Sequence, residues 1–81
     1  MTKTPADVLA DIGRALFGER WRLPLCEALN VDERLVRRWL SGATGLAAGH
    51  IIFTKAEKVL RDREREIAGI LRTLEQWREG R

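Results

Sequence analysis

Arg34, Arg37 and Arg38 stand close together beside Glu33, in a stretch that runs from Asp32 to Gly42. A guanidinium is a permanent cation with five N–H donors in a planar fork. It binds phosphate as a charge and guanine O6 and N7 as a bidentate donor. On a helical wheel at about 100° per residue, Arg34, Arg37, Arg38 and Ser41 fall on one side. Val36, Trp39 and Leu40 fall on the other, at the i, i+3, i+4 spacing of a buried stripe. Glu33 and Leu35 flank the polar face. A short helix with an apolar anchor and an arginine face fits the major groove of DNA, which is about 12 Å wide. Arg34 and Arg38 lie one turn apart, so both are expected to reach base edges. Arg37 lies nearer the rim and suits a base or a phosphate. Glu33 can accept from a cytosine amino group, or simply favour the positive end of its helix.

Other chemistry lacks its members. His50 is the only histidine and Cys26 the only cysteine. A metal site or a nucleophile–base pair needs more. No Ser-His-Asp set, paired-carboxylate site or cofactor fingerprint stands out. Ser41-Gly42-Ala43-Thr44-Gly45 is glycine-rich, but no Gly-Lys-Ser/Thr follows, so it is not a phosphate-cradling loop. No catalytic activity, cofactor, metal or small-molecule effector is expected. A single cysteine makes no internal disulfide, and Cys26 reads as a small core residue.

The arginine helix needs a support. Residues 23–29 form a first helix, with Pro24 near its start, where a missing N–H costs nothing. Asn30, Val31 and Asp32 make a tight turn. Asn tolerates the left-handed conformation of such a corner. Asp32 can cap the next helix through its free N–H groups. Residues 33–41 form the second helix, and Gly42 ends it.

Cys26, Asn30, Val31, Val36, Trp39 and Gly42 sit at places that resemble the helix-turn-helix of Cro and phage-repressor (XRE-like) DNA-binding proteins. That pattern has a small residue in the first helix, Gly or Asn in the turn and an apolar residue after it. A β-branched core residue and a Trp follow in the recognition helix, then a Gly. Asn30 stands where Gly is commoner, and Cys26 where Ala is commoner. The family's phosphate-touching Gln would fall at Arg22. The resemblance implies phosphate contacts from Arg22, and from Ser41 and Thr44 after the recognition helix. It also implies a phage or mobile-element setting in which such chains often repress their own operon.

The flanking segments read as helices. Thr4-Pro5-Ala6-Asp7 combines an N-cap, a first-position proline and a first-turn acid. Val8, Leu9, Ile12, Ala15 and Leu16 repeat at helical spacing and Gly18 is a stop, so the first helix spans 5–17. Trp21 is a packing residue over the junction. Residues 47–78 contain no proline and are rich in helix formers, which predicts one long C-terminal segment. Residues 61–66 interrupt its apolar face with alternating charge, and a hairpin of two helices remains open. Gly69 is a kink or a close-contact point. Beyond the charged run, Ile67, Ile70, Leu74 and Trp77 form a stripe at 3-4-3 spacing with Leu71 beside it. This stripe is either a dimer interface or a face that folds back on the first helix.

The fold class is therefore all-α: a compact helix-turn-helix domain of three N-terminal helices, followed by a long C-terminal helix. Eighty-one residues suit one domain, and 44% hydrophobic with 33% charged residues suit a folded one. The net charge is +3. Residues 1–42 carry seven basic and six acidic groups, and residues 43–81 carry eight and six. There is no basic tail, so the case for DNA rests on where the arginines point. No signal segment follows Met1 and no apolar run approaches a membrane span of about 20 residues. The expected compartment is the cytoplasm. The expected function is sequence-specific binding of double-stranded DNA at a palindromic operator, as a homodimeric repressor. The alternative is a helical protein–protein interaction module, or an antitoxin combining both.

Overall fold

The computed structural model describes residues 3–42 and 45–80. Their regular structure is entirely helical: α1 (Pro5–Phe17), α2 (Arg22–Leu29), α3 (Glu33–Ser41) and α4 (Ile51–Glu79). Three short helices form a small core, and the first part of α4 closes it.

The predicted punctuation is in place. The Asp7 N–H donates to Thr4 Oγ1 at 3.1 Å, and the Thr4 N–H donates back to the Asp7 carboxylate at 3.1 Å. This reciprocal box satisfies two donors that the helix start would otherwise leave unpaired. Gly18 ends α1 with φ of 79°. Asn30 takes the left-handed corner at φ 53°, ψ 53°, and the Val31 N–H closes the turn on the Cys26 carbonyl at 2.9 Å. Asp32 Oδ1 accepts from the Arg34 N–H at 2.8 Å, and Gly42 ends α3 with φ of 79°. α2 begins at Arg22, one residue earlier than expected.

α4 departs from expectation at its start. It begins at Ile51 rather than 47, because His50 caps it. The Nδ1 atom of His50 accepts from the Ile52 N–H at 3.1 Å, and the His50 N–H turns back to the Ala47 carbonyl at 3.0 Å. From there α4 runs through residues 61–66 without interruption, which rules out the hairpin. The charges of that run support the helix: Arg61 pairs with Glu57 at 2.8 Å and Arg65 with Asp62 at 3.0 Å. Such i, i+3 and i, i+4 pairs favour helix formation. Gly69 is not a close-contact point, since beyond its own helix backbone and chain neighbours nothing lies within 4 Å of where its Cβ would stand.

The core draws on every helix. Leu9 and Leu16 of α1, Leu25, Cys26 and Leu29 of α2, Val36 and Trp39 of α3, and Ile52 and Ala56 of α4 are buried together with Trp21 and Leu46. Leu9, Leu25, Leu29 and Val36 are the largest fully enclosed side chains. Each such burial contributes about 1.5–3 kcal/mol relative to exposure. Trp21 lies against the bare backbone of Gly13. Two polar links tie α4 down. Lys55 Nζ donates to the Leu29 carbonyl at 3.5 Å, and Arg63 Nη1 donates to the Leu16 carbonyl at 3.2 Å. The Arg63 guanidinium also lies 5.7 Å from the centre of the Phe17 ring.

Past Arg63, α4 leaves the domain. The molecule measures 55 × 26 × 21 Å with a radius of gyration of 15.8 Å. A compact chain of this length would have a radius of about 12 Å. The excess is the outer half of α4, whose side chains from residue 70 to 79 are all exposed. The stripe of Ile67, Ile70, Leu71, Leu74 and Trp77 does not fold back on α1: all five side chains are exposed.

Candidate nucleic-acid interface

Asn30 and Asp32 set where α3 begins, and Val36 and Trp39 set how it is rotated. Both apolar residues are buried, at 1% and 4% exposure. Leu35 and Leu40 pack partly against the same core. The opposite side is thereby turned outward: Arg34, Arg37, Arg38 and Ser41 are exposed and line one shallow, open surface. The four residues grouped by the wheel are grouped in space.

Their surroundings differ. Arg37 Nη2 donates to Glu33 Oε1 at 3.3 Å, one helical turn away. Glu33 is half-buried and holds Arg37 to one side. Among the described residues no ion pair engages Arg34 or Arg38. The Ser41 hydroxyl donates to the Arg38 carbonyl at 2.9 Å, which satisfies an acceptor at the helix end. Thr44 lies outside the described residues.

Arg22 occupies the first position of α2 and is exposed. It shares a concave surface with Arg14, Glu19, Arg20, Trp21, Leu23 and Glu33. The start of α2 therefore lies beside the start of α3, with arginines from α1 and the α1–α2 junction around them. Arg14 and Arg20 were not singled out from the sequence. Arg14 is one exposed position on a helix and Arg20 lies in a connector, so no period marks either. Arg14 is also within 3.6 Å of Asp11, which in turn pairs with Lys3.

The two residues that elsewhere carry chemistry are used structurally here. Burial, and then the charges of Glu33 and Asp32, push the Cys26 thiol above its ordinary range. His50 spends its acceptor nitrogen on the α4 cap and sets its ring edge-on to Trp39, with centroids 5.2 Å apart at 69°. No metal-holding group of His, Cys, Asp and Glu occurs among the described residues. No helix among them is long and apolar enough to cross a membrane.

Ile67, Ile70, Leu71, Leu74 and Trp77 are brought together along the outer half of α4, well separated in sequence from the arginine face. Comparison with family models, curated proteins and solved structures finds no match.

Proposed function

We propose that the protein binds double-stranded DNA in a sequence-specific way, with α3 in the major groove, and acts as a transcriptional regulator. One observation carries this: Arg34 and Arg38 are exposed one turn apart on a helix whose other side is buried through Val36 and Trp39. A helix seated that firmly holds its outward side chains in register with base edges. Arg34 and Arg38 then read guanine O6 and N7. Arg37, held by Glu33, takes the groove edge and its phosphates, and the role of Glu33 is to orient it. Arg22, with Arg14 and Arg20 near it, faces the flanking backbone, and Ser41 does so past the other end of α3, a role that the resemblance extends to Thr44.

One such domain touches too few base pairs for a specific site. Two copies on a palindrome read half-sites about 34 Å apart. The proposed contact between copies is the stripe of Ile67, Ile70, Leu71, Leu74 and Trp77. Occupying the operator would repress by exclusion. The resemblance to Cro and phage repressors favours an autorepressor of a phage or mobile element.

The test is footprinting on DNA upstream of the protein's own gene, followed by titration at several salt concentrations. The expected result is protection of a palindrome and a steep loss of affinity with salt. Arg34→Ala and Arg38→Ala should each weaken binding by about 1–3 kcal/mol and relax selectivity at one base pair. Unchanged affinity and selectivity in the double variant would overturn the assignment of α3. Protection of no DNA would favour the interaction module instead.

A further inference from the structure

The outer half of α4 repeats the pattern of its inner half. Stepping back from Trp77 by threes and fours gives Leu74, Ile70, Ile67, Arg63, Leu60, Ala56 and Phe53. The inner members face the domain: Ala56 is fully buried, Phe53 and Leu60 pack against the core, and Arg63 reaches Leu16 and Phe17. A straight helix drifts only about 20° per heptad, so the outer members continue the same face. Ile67, Ile70, Leu71, Leu74 and Trp77 are between 42% and 68% exposed along about 15 Å of helix.

That continuity decides which way a second copy can lie. Paired helices run about 8–10 Å apart. A parallel partner in register would carry its own residues 53–63 through the space that α1 and α2 occupy, and would set Arg63 against its counterpart. An antiparallel partner avoids both. Placing Ile67 opposite the partner's Trp77 and Ile70 opposite the partner's Leu74 gives four apolar layers by symmetry. The two-fold axis then passes level with Arg72, and Leu71 lies about 1.5 Å to one side of it, beside the partner's Leu71. Glu64 comes within about 3 Å, along the helix, of the level of the partner's Arg78, twice over. The last residue of the partner's helix, Glu79, comes level with Arg65, just short of where the domain begins.

We propose that α4 pairs antiparallel with α4 of a second copy in this register, with the two-fold axis level with Arg72 and Leu71 beside it. The inference rests on the dimer proposed above and not on DNA binding. It also sets the spacing of the assembly. The points where the two helices leave their domains, the two Arg63 positions, lie about 27 Å apart. The domains sit beyond those points, within reach of half-sites one turn of DNA apart.

The test uses Ile70→Cys and Leu74→Cys variants of the full chain under mild oxidation, with sedimentation of the parent. Cys26 stays in place, buried, and the parent is the control. The expected results are a parent that sediments as a dimer, and disulfide formation in the mixture of the two variants far exceeding that in either alone. Glu64→Arg should weaken the dimer roughly five- to tenfold, and Glu64→Arg with Arg78→Glu should restore it. A parent that stays monomeric overturns the dimer itself. A dimer in which each cysteine variant cross-links alone as readily as the mixture overturns the antiparallel register.

Discussion

A Cβ on Gly13 would stand 2.2 Å from Cε3 of Trp21, so α1 meets that ring only because residue 13 has no side chain. Helix propensity alone would reward Gly13→Ala by about 1 kcal/mol. The clash reverses the sign, since Trp21 is itself buried and the atoms it meets are ring carbons, not the far end of a flexible chain. Overpacking of this kind costs about 1–3 kcal/mol net. The control is Gly69→Ala, where the site is open and the variant should gain about 0.5–1 kcal/mol. Thermal melts of the two variants should shift in opposite directions.

Trp39 and His50 should prove coupled. Trp39→Ala should cost about 3–5 kcal/mol, most of what so small a domain has. His50→Ala loses a cap worth about 0.5–2 kcal/mol and an edge-to-face contact of about 0.5–1.5 kcal/mol. Because the rings touch, the double variant should lose less than the two singles together. Urea titrations followed by circular dichroism measure this. A Trp39→Ala variant as stable as the parent would mean that α3 is rotated and that its arginines lack their support.

Cys26 should be slow to react. The thiolate is the reactive form, and burial keeps the thiol neutral. A thiol reagent should label the unfolded chain at once and the folded chain only as it opens. The raised pKa also has a sign. The unfolded thiol ionises near its ordinary value of 9.0 while the folded one resists. This stabilising contribution is complete below that pH and is lost as pH rises through the folded pKa. Comparing urea midpoints of the parent and Cys26→Ala from neutral to alkaline pH isolates the effect, since only the parent carries this loss.

Truncation after Arg65 should leave the domain folded. The contacts of Arg63 with Leu16 and Phe17 are retained, and the side chains removed are almost all exposed. The expected product melts cooperatively, sediments as a monomer and binds operator DNA much more weakly. A shortened chain that still dimerises and binds equally well would move the interface to α1 or the inner half of α4.

Much of this was legible from local signals. Thr4-Pro5 and Gly18 bound α1 because caps act within one turn. Asn30 and Asp32 bound α3 for the same reason, and the wheel phased Arg34, Arg37, Arg38 and Ser41 because Val36 and Trp39 are a strong anchor. What failed to show lies between distant residues or in unusual donors. A histidine nitrogen capping α4 is not among the common cap chemistries, and Ala47-Ala48 looks helical, so the sequence places the start four residues too early. The Gly13–Trp21 contact and the Arg63 link to α1 join elements with no shared period. The Glu33–Arg37 pair was legible, at i, i+4, and stands beside the two uses of Glu33 that the sequence offers, a cytosine amino group and the helix N-terminus.

Residues 61–66 form a helix, so each one contributes an angle and a length, about 100° and 1.5 Å. One residue added there would swing the apolar strip more than a quarter-turn off its mate. Seven added would restore its direction and lengthen each arm by about 10 Å. Substitutions at Arg61, Asp62, Arg65 or Glu66 matter little if they keep the run helical, while insertions and deletions change everything beyond it. In the proposed dimer, the length and turn of this stretch become the ruler that would match the protein to the proposed DNA site.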